Sequence, residues 1–147
     1  MHKYVLLLHV LAATIWTGGH IVLAVAILPR ILRERSPSDL MRFESAYEKI
    51  GMPALVIQVI TGLWLSHSLV PDVRSWIAAD NFVTRLIVLK LFLLAATVLV
   101  AADARFRIIP RLSAENLAAM ALRIRLITLF SILFAVAGVT FRTGPWP

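Results

Sequence analysis

At 147 residues, 60% hydrophobic and with a mean hydropathy of +0.85, the chain carries more apolar surface than one soluble core can bury. An ordinary soluble domain is excluded and an integral membrane protein is implied. The net charge is +7, and the absence of cysteine excludes thiolate metal sites, disulfides and covalent haem attachment, so any haem is held non-covalently.

Four apolar runs, Tyr4 to Leu28, Met52 to Val70, Phe82 to Ala102 and Ile124 to Phe141, each approach the roughly 20 residues that cross a hydrocarbon core of about 30 Å. The predicted fold is all-α, a single transmembrane four-helix bundle. The first run is too long and too polar for a signal-peptide core, and no small-residue cleavage site follows it, so it reads as a retained helix.

Within that first run stand His9 and His20, eleven residues apart. Eleven residues make about three helical turns, which places both imidazoles on one face. Imidazole is costly in hydrocarbon without a partner and is a favoured ligand of haem iron and copper. Trp16 shares their face, while Ala13, Gly18 and Gly19 remove bulk beside it. That suits close approach of a planar macrocycle or of another helix.

Ser36-Pro37-Ser38-Asp39 reads as an N-cap, a first-turn proline and an acid opening an amphipathic segment with Leu40, Phe43 and Tyr47 on its apolar side. Gly51 is expected to close that segment and Pro53 to open the second span. Pro71 ends the second span. Asp72 to Asn81 form a connection with Trp76 as an interfacial anchor, a role expected also of Trp146. The segment Ser113 to Leu122 is either an extension of the fourth span or a short surface helix. Two Pro-Arg pairs, Pro29-Arg30 and Pro110-Arg111, end the first and third spans.

Charge sets the expected orientation. Arg30, Arg33, Arg35, Arg42 and Lys49 follow the first span, and Arg105, Arg107, Arg111, Arg123 and Arg125 precede or open the fourth. The opposite side holds Lys3, Arg74, Arg85 and Arg142. The positive-inside rule therefore places both termini outside, in a multi-pass protein of a bacterial inner membrane. Arginines that flank spans in this way are topology signals, so no nucleic-acid partner is expected.

By depth, His9, His67 of the second span and Lys90 of the third are three nitrogen donors expected to converge in the outer half of the membrane. His20 lies about 16 Å deeper along the helix, so one metal cannot bind both histidines of span 1. Gln58 is the donor expected nearest its level. Lys90 must pair, snorkel or titrate, and proton transfer is its expected part in any catalysis. Met41, Met52 and Met120 read as packing residues.

The order His9-(x)6-Trp16-x-Gly18-Gly19, Leu28-Pro29-Arg30, Met52-Pro53-Ala54, Thr61-Gly62-Leu63-Trp64 and Lys90-Leu91 resembles the small membrane proteins of the HemJ and CopD-like group. The HemJ branch implies haem b and protoporphyrinogen oxidation, with the essential histidine and lysine falling on His9 and Lys90. The CopD branch implies copper uptake or tolerance, and Trp-x-Gly-Gly is closer to it. From the HemJ pattern the chain departs at Ala102-Asp103, where that branch usually carries a histidine.

The expected function is accordingly a haem b-binding redox protein or oxidoreductase. His9 would be an axial ligand, His67 or Lys90 would stand opposite, and Arg142 or Arg85 would meet propionates. Electrons would pass to quinone or another membrane acceptor. The alternative is a copper-binding protein using His9, His67 and His20. A third reading is an assembly subunit whose polar residues only join helices. Homo-oligomerisation is left open.

Overall fold

The computed structural model describes residues 1–144; Trp146, expected as an anchor, lies outside the described residues. Among the described residues there is no strand, and four helices are long and apolar enough to cross a membrane. We call them span 1 (His2–Glu34), span 2 (Pro37–Leu69), span 3 (Phe82–Arg111) and span 4 (Leu117–Thr143). Span 2 packs on span 1, span 1 on span 4, and span 4 on span 3.

Spans 1 and 3 share a device that their sequences only hinted at. Span 1 is α-helical over His2–Val22, widens to a π-turn over Leu23–Ile27 and resumes as Leu28–Glu34. Span 3 is α-helical over Phe82–Asp103, widens over Ala104–Ile108 and tightens to a 3-10 turn at Ile109–Arg111. Each wide turn ends two residues before a proline, Pro29 or Pro110. Proline lacks an N–H and collides with the carbonyl four residues back, and a π-turn relieves both defects without ending the helix.

Span 2 corrects the expected boundary at Gly51 and Pro53. Pro37–Leu69 is one helix of 33 residues with Pro53 inside it. Gly51 is not a cap: a Cβ there would lie 2.7 Å from Cε1 of Tyr47, so the glycine makes room for that ring. Ser36 does stand at the N-cap with Pro37 at the first helical position, but its hydroxyl contacts Ser38 Oγ at 3.1 Å rather than a helix N–H. Spans 1 and 2 are joined at Arg35, which adopts a left-handed conformation with φ 51°. The extension reading holds for span 4, which runs unbroken from Leu117.

The connection between spans 2 and 3 contains a short helix, Val73–Ala78, capped by the Asp72 side chain. Trp76 is buried and donates its indole N–H to the Val70 carbonyl at 2.9 Å. The indole thus ties the connection to the end of span 2, and its burial leaves little surface for the interfacial anchoring expected of it. Asn81 and Thr84 form a reciprocal capping box that starts span 3.

A layer of charge crosses the bundle between its two ends. Asp103 of span 3 accepts from Arg123 of span 4 at 2.6 Å and from Arg107 at 3.3 Å, and Arg105 pairs with Glu48 of span 2 at 3.3 Å. The buried apolar cluster, which includes Leu23, Leu28, Ile31, Leu40, Ala104 and Met120, lies at and beyond this layer, where charged residues alternate with it in sequence. On the other side of the layer, toward the termini, side chains such as Leu7, Phe92 and Leu99 are exposed by 57%, 68% and 70%, the pattern of helices solvated by lipid.

Candidate metal centre

His9 and His20 share one face of span 1, as their spacing requires, and both rings meet side chains of span 2. The His9 ring is held by Thr61: Nδ1 and Oγ1 are 2.8 Å apart. The Thr61 hydroxyl donates its one hydrogen to the Ile57 carbonyl at 2.6 Å, so toward His9 it acts as acceptor and the imidazole donates from Nδ1. Nε2 of the neutral ring then carries a free lone pair. Gly62 gives the ring its place, since a Cβ there would stand 3.1 Å from His9 Cε1.

His20 repeats the arrangement with a different partner. Its Nδ1 lies 2.9 Å from the Trp16 carbonyl, which can only accept, so again the hydrogen is on Nδ1 and the lone pair on Nε2. The ring is buried, tilted against Trp16 at 4.3 Å between centroids and edge-on to Tyr47 at 5.5 Å. Span 4 reaches the same place through Thr128, whose hydroxyl donates to the His20 and Ile124 carbonyls. A ring locked in one tautomer by a second partner is the usual state of a histidine that binds metal through its other nitrogen.

Tyr47 organises the His20 level, and the sequence showed it only as an apolar member of an amphipathic helix. Its ring fills the space left by Gly19 and Gly51, and its hydroxyl donates to the backbone carbonyls of Ile15 and Trp16 at 3.1 and 3.0 Å. The face of small residues in span 1 therefore receives an aromatic side chain of span 2, not a macrocycle. A haem plane against Gly19 and Trp16 does not fit while Tyr47 is there.

The expected convergence of three nitrogen donors is only partly realised. Lys90 lies near enough to His9 to interact with it electrostatically, and its ammonium sits over the Phe141 ring at 5.1 Å. His67 is exposed and six residues beyond Thr61, about 9 Å further along the helix, so it does not share the His9 site. The antiparallel register explains this, because the neighbour of Trp64 in span 1 is already His2, with ring centroids 5.6 Å apart. Among the described residues no three His, Cys, Asp or Glu side chains come together as a metal-holding group.

The remaining expected residues are placed as follows. Arg142 is exposed in the last turn of span 4, and Arg85 donates to the Ala79 carbonyl at 3.1 Å. Gln58 lies three residues before Thr61, on the His9 side of the level set by Tyr47, not opposite His20. Its Oε1 is buried and has no hydrogen-bond partner among the described residues. Met120 is in the apolar core, whereas Met41 and Met52 are exposed. Thr61 and Tyr47 are the contributors that residue type alone does not announce, although Thr61-Gly62 was legible as part of a motif.

No curated protein and no solved structure matches the chain. The family model for copper resistance protein D matches residues 41–144, well over half of the chain, and nothing links it to the HemJ branch. By that match the chain belongs to the copper resistance protein D family.

Proposed function

We propose that this protein handles copper ions within the membrane, with His9 and His20 as successive nitrogen ligands. The observation that carries the reading is the pair of imidazoles on one face of span 1, each held at Nδ1 with Nε2 left free. Copper is the cargo rather than a resident cofactor. Imidazole without thiolate suits Cu(II) at least as well as Cu(I), and no methionine accompanies the histidines to make a thioether site.

Lys90 adds a condition to binding at His9. As an ammonium it opposes a second cation nearby; as a free amine it is a further nitrogen donor. Arrival of copper at His9 is thereby tied to loss of the Lys90 proton. Gln58 Oε1, buried and unbonded between the Tyr47 and Thr61 levels, offers an oxygen on the way from His9 to His20. With the arginine-rich connections in the cytoplasm, His9 lies toward the outer face and His20 toward the inner charge layer.

The test is copper loading of the full chain purified in mild detergent, with metal analysis and the paramagnetic resonance of the Cu(II) form. Wild type is expected to show imidazole nitrogen couplings. His9→Ala and His20→Ala are each expected to lose part of the bound copper, and the double variant all of it. Full copper binding by the double variant, or none by wild type, would overturn the reading. A haem spectrum from the purified protein would restore the oxidoreductase reading in its place.

A further inference from the structure

An apolar groove of about 410 Å³ runs along the outer seam between spans 1 and 2, and none of His9, His20, Thr61 and Tyr47 lines it. Leu11 and Ile15 line it from span 1, and Ile50 and Ile57 from span 2. Ala12 and Ala54, each 3% exposed, form its floor. Small residues bring the two helices close there and leave a channel between the larger aliphatic side chains. No aromatic ring lines it, and its one charged side chain is Lys49.

Lys49 lies where the groove meets an adjoining hollow of about 540 Å³ that includes Ser45 and Glu48. This end belongs to the layer of charge, because Glu48 pairs with Arg105 at 3.3 Å across to span 3. Glu48 is thereby engaged, while Lys49 takes part in none of the ion pairs among the described residues. From Lys49 to Ile57 the groove follows eight residues of helix, about 12 Å. The result is a cation at headgroup depth followed by an aliphatic channel directed into the hydrocarbon.

We propose that this groove is a binding site for one phospholipid of the surrounding bilayer. An acyl chain lies between Ile15 and Ile50, and the headgroup phosphate rests on the Lys49 ammonium. The charge distinguishes this occupant from a second copy of the chain. Two copies related by a two-fold axis along the membrane normal present the same patch to each other, which sets Lys49 against Lys49 at one depth. A phosphate complements that ammonium; a second copy repels it.

The experiment is native mass spectrometry of the full chain released from nanodiscs of mixed phosphatidylglycerol and phosphatidylethanolamine. Wild type is expected to retain one phospholipid per chain. Lys49→Glu reverses the charge and is expected to lower retention at least tenfold. Ile50→Trp fills the channel and leaves Lys49 in place; because Ile50 is 59% exposed, the substitution does not disturb the core, and it is expected to lower retention similarly. Leu99→Trp, on another lipid-exposed surface, is expected to change nothing. Helical circular dichroism establishes that each variant is folded. The proposal is overturned if wild type retains no lipid, if both groove variants retain it like wild type, or if the groove variants instead abolish a dimer.

Discussion

Thr61→Val is the most discriminating change at the His9 site. Valine matches threonine in shape, so the packing of span 1 on span 2 is kept while the acceptor 2.8 Å from His9 Nδ1 is removed. An interhelical hydrogen bond of this kind within a membrane contributes about 0.6 kcal/mol on average, so thermal stability should fall only slightly. The effect on copper should be larger. Freed from Thr61, the imidazole can take its hydrogen on Nε2, which removes the ligating lone pair, and can rotate. Loss of a partner that orients a ligand lowers metal affinity about 10- to 100-fold, equivalent to about 1.4 to 2.8 kcal/mol. Competition of the purified protein against a chromogenic Cu(II) chelator reads the affinity, and a thermal melt of the same sample reads the stability. Thr61→Ser should behave as wild type, because it keeps the hydroxyl. Unchanged copper affinity in Thr61→Val, alongside a large loss in His9→Ala, would refute the argument that the threonine sets the tautomer.

Gly19→Ala places a methyl group into the Tyr47 ring and should destabilise the protein by about 1 to 3 kcal/mol, as overpacking generally does. In a Tyr47→Ala background the same substitution should cost little, and a double-mutant cycle of thermal melts reads the difference. His67→Ala should leave copper stoichiometry at the wild-type value, since His67 is exposed and far along the helix from Thr61; loss of an equivalent there would return His67 to the site. Gln58→Leu removes a buried carbonyl oxygen that has no partner, so stability should hold or rise. If the amide is a waypoint, this variant keeps equilibrium copper binding but slows copper movement in proteoliposomes at least several-fold.

The sequence revealed the four spans because hydropathy over about 20 residues is a strong signal, and the charge runs divided their ends. It misplaced the start of span 2 because Gly51 and Pro53 are read by habit as helix punctuation. Here Gly51 answers to the Tyr47 ring, a contact within one helix that only the packing against Gly19 makes visible. His9 and His20 were legible as a same-face pair because helical periodicity is purely local. Their partners were not, since Thr61 and Tyr47 depend on the register between two helices. The same register removes His67 from the His9 site, as depth counted from span ends carries an error of a turn or more. Trp76 was read as an interfacial anchor from its residue type, whereas its indole hydrogen bond is satisfied within the chain.

Hydropathy also conceals a division inside span 1. Its 33 residues make about 50 Å of helix, well beyond the roughly 30 Å of a hydrocarbon core. The surplus is apolar for a different reason from the rest: Leu23, Leu28 and Ile31 pack with Leu40, Ala104 and Met120 beside the arginine-rich segments, as in a soluble core. Burial there is driven by water, whereas toward the termini, where lipid replaces water, helices must be joined by polar contacts and small residues. His20 stands three residues before Leu23, at the boundary of the two regimes, and His9 lies within the lipid-solvated part. On the proposed function, an ion passing from one imidazole to the other moves about 16 Å, from low dielectric into a layer of charge. That distance exceeds direct exchange between two ligands, so transfer requires either an intervening donor or relative motion of spans 1 and 2. The Tyr47 hydroxyl bonds to Ile15 and Trp16 oppose sliding of those spans. On the proposed function an intervening donor is therefore the more economical route; the unbonded oxygen of Gln58, about one turn from the His9 level, serves only its first step and leaves about 11 Å to His20.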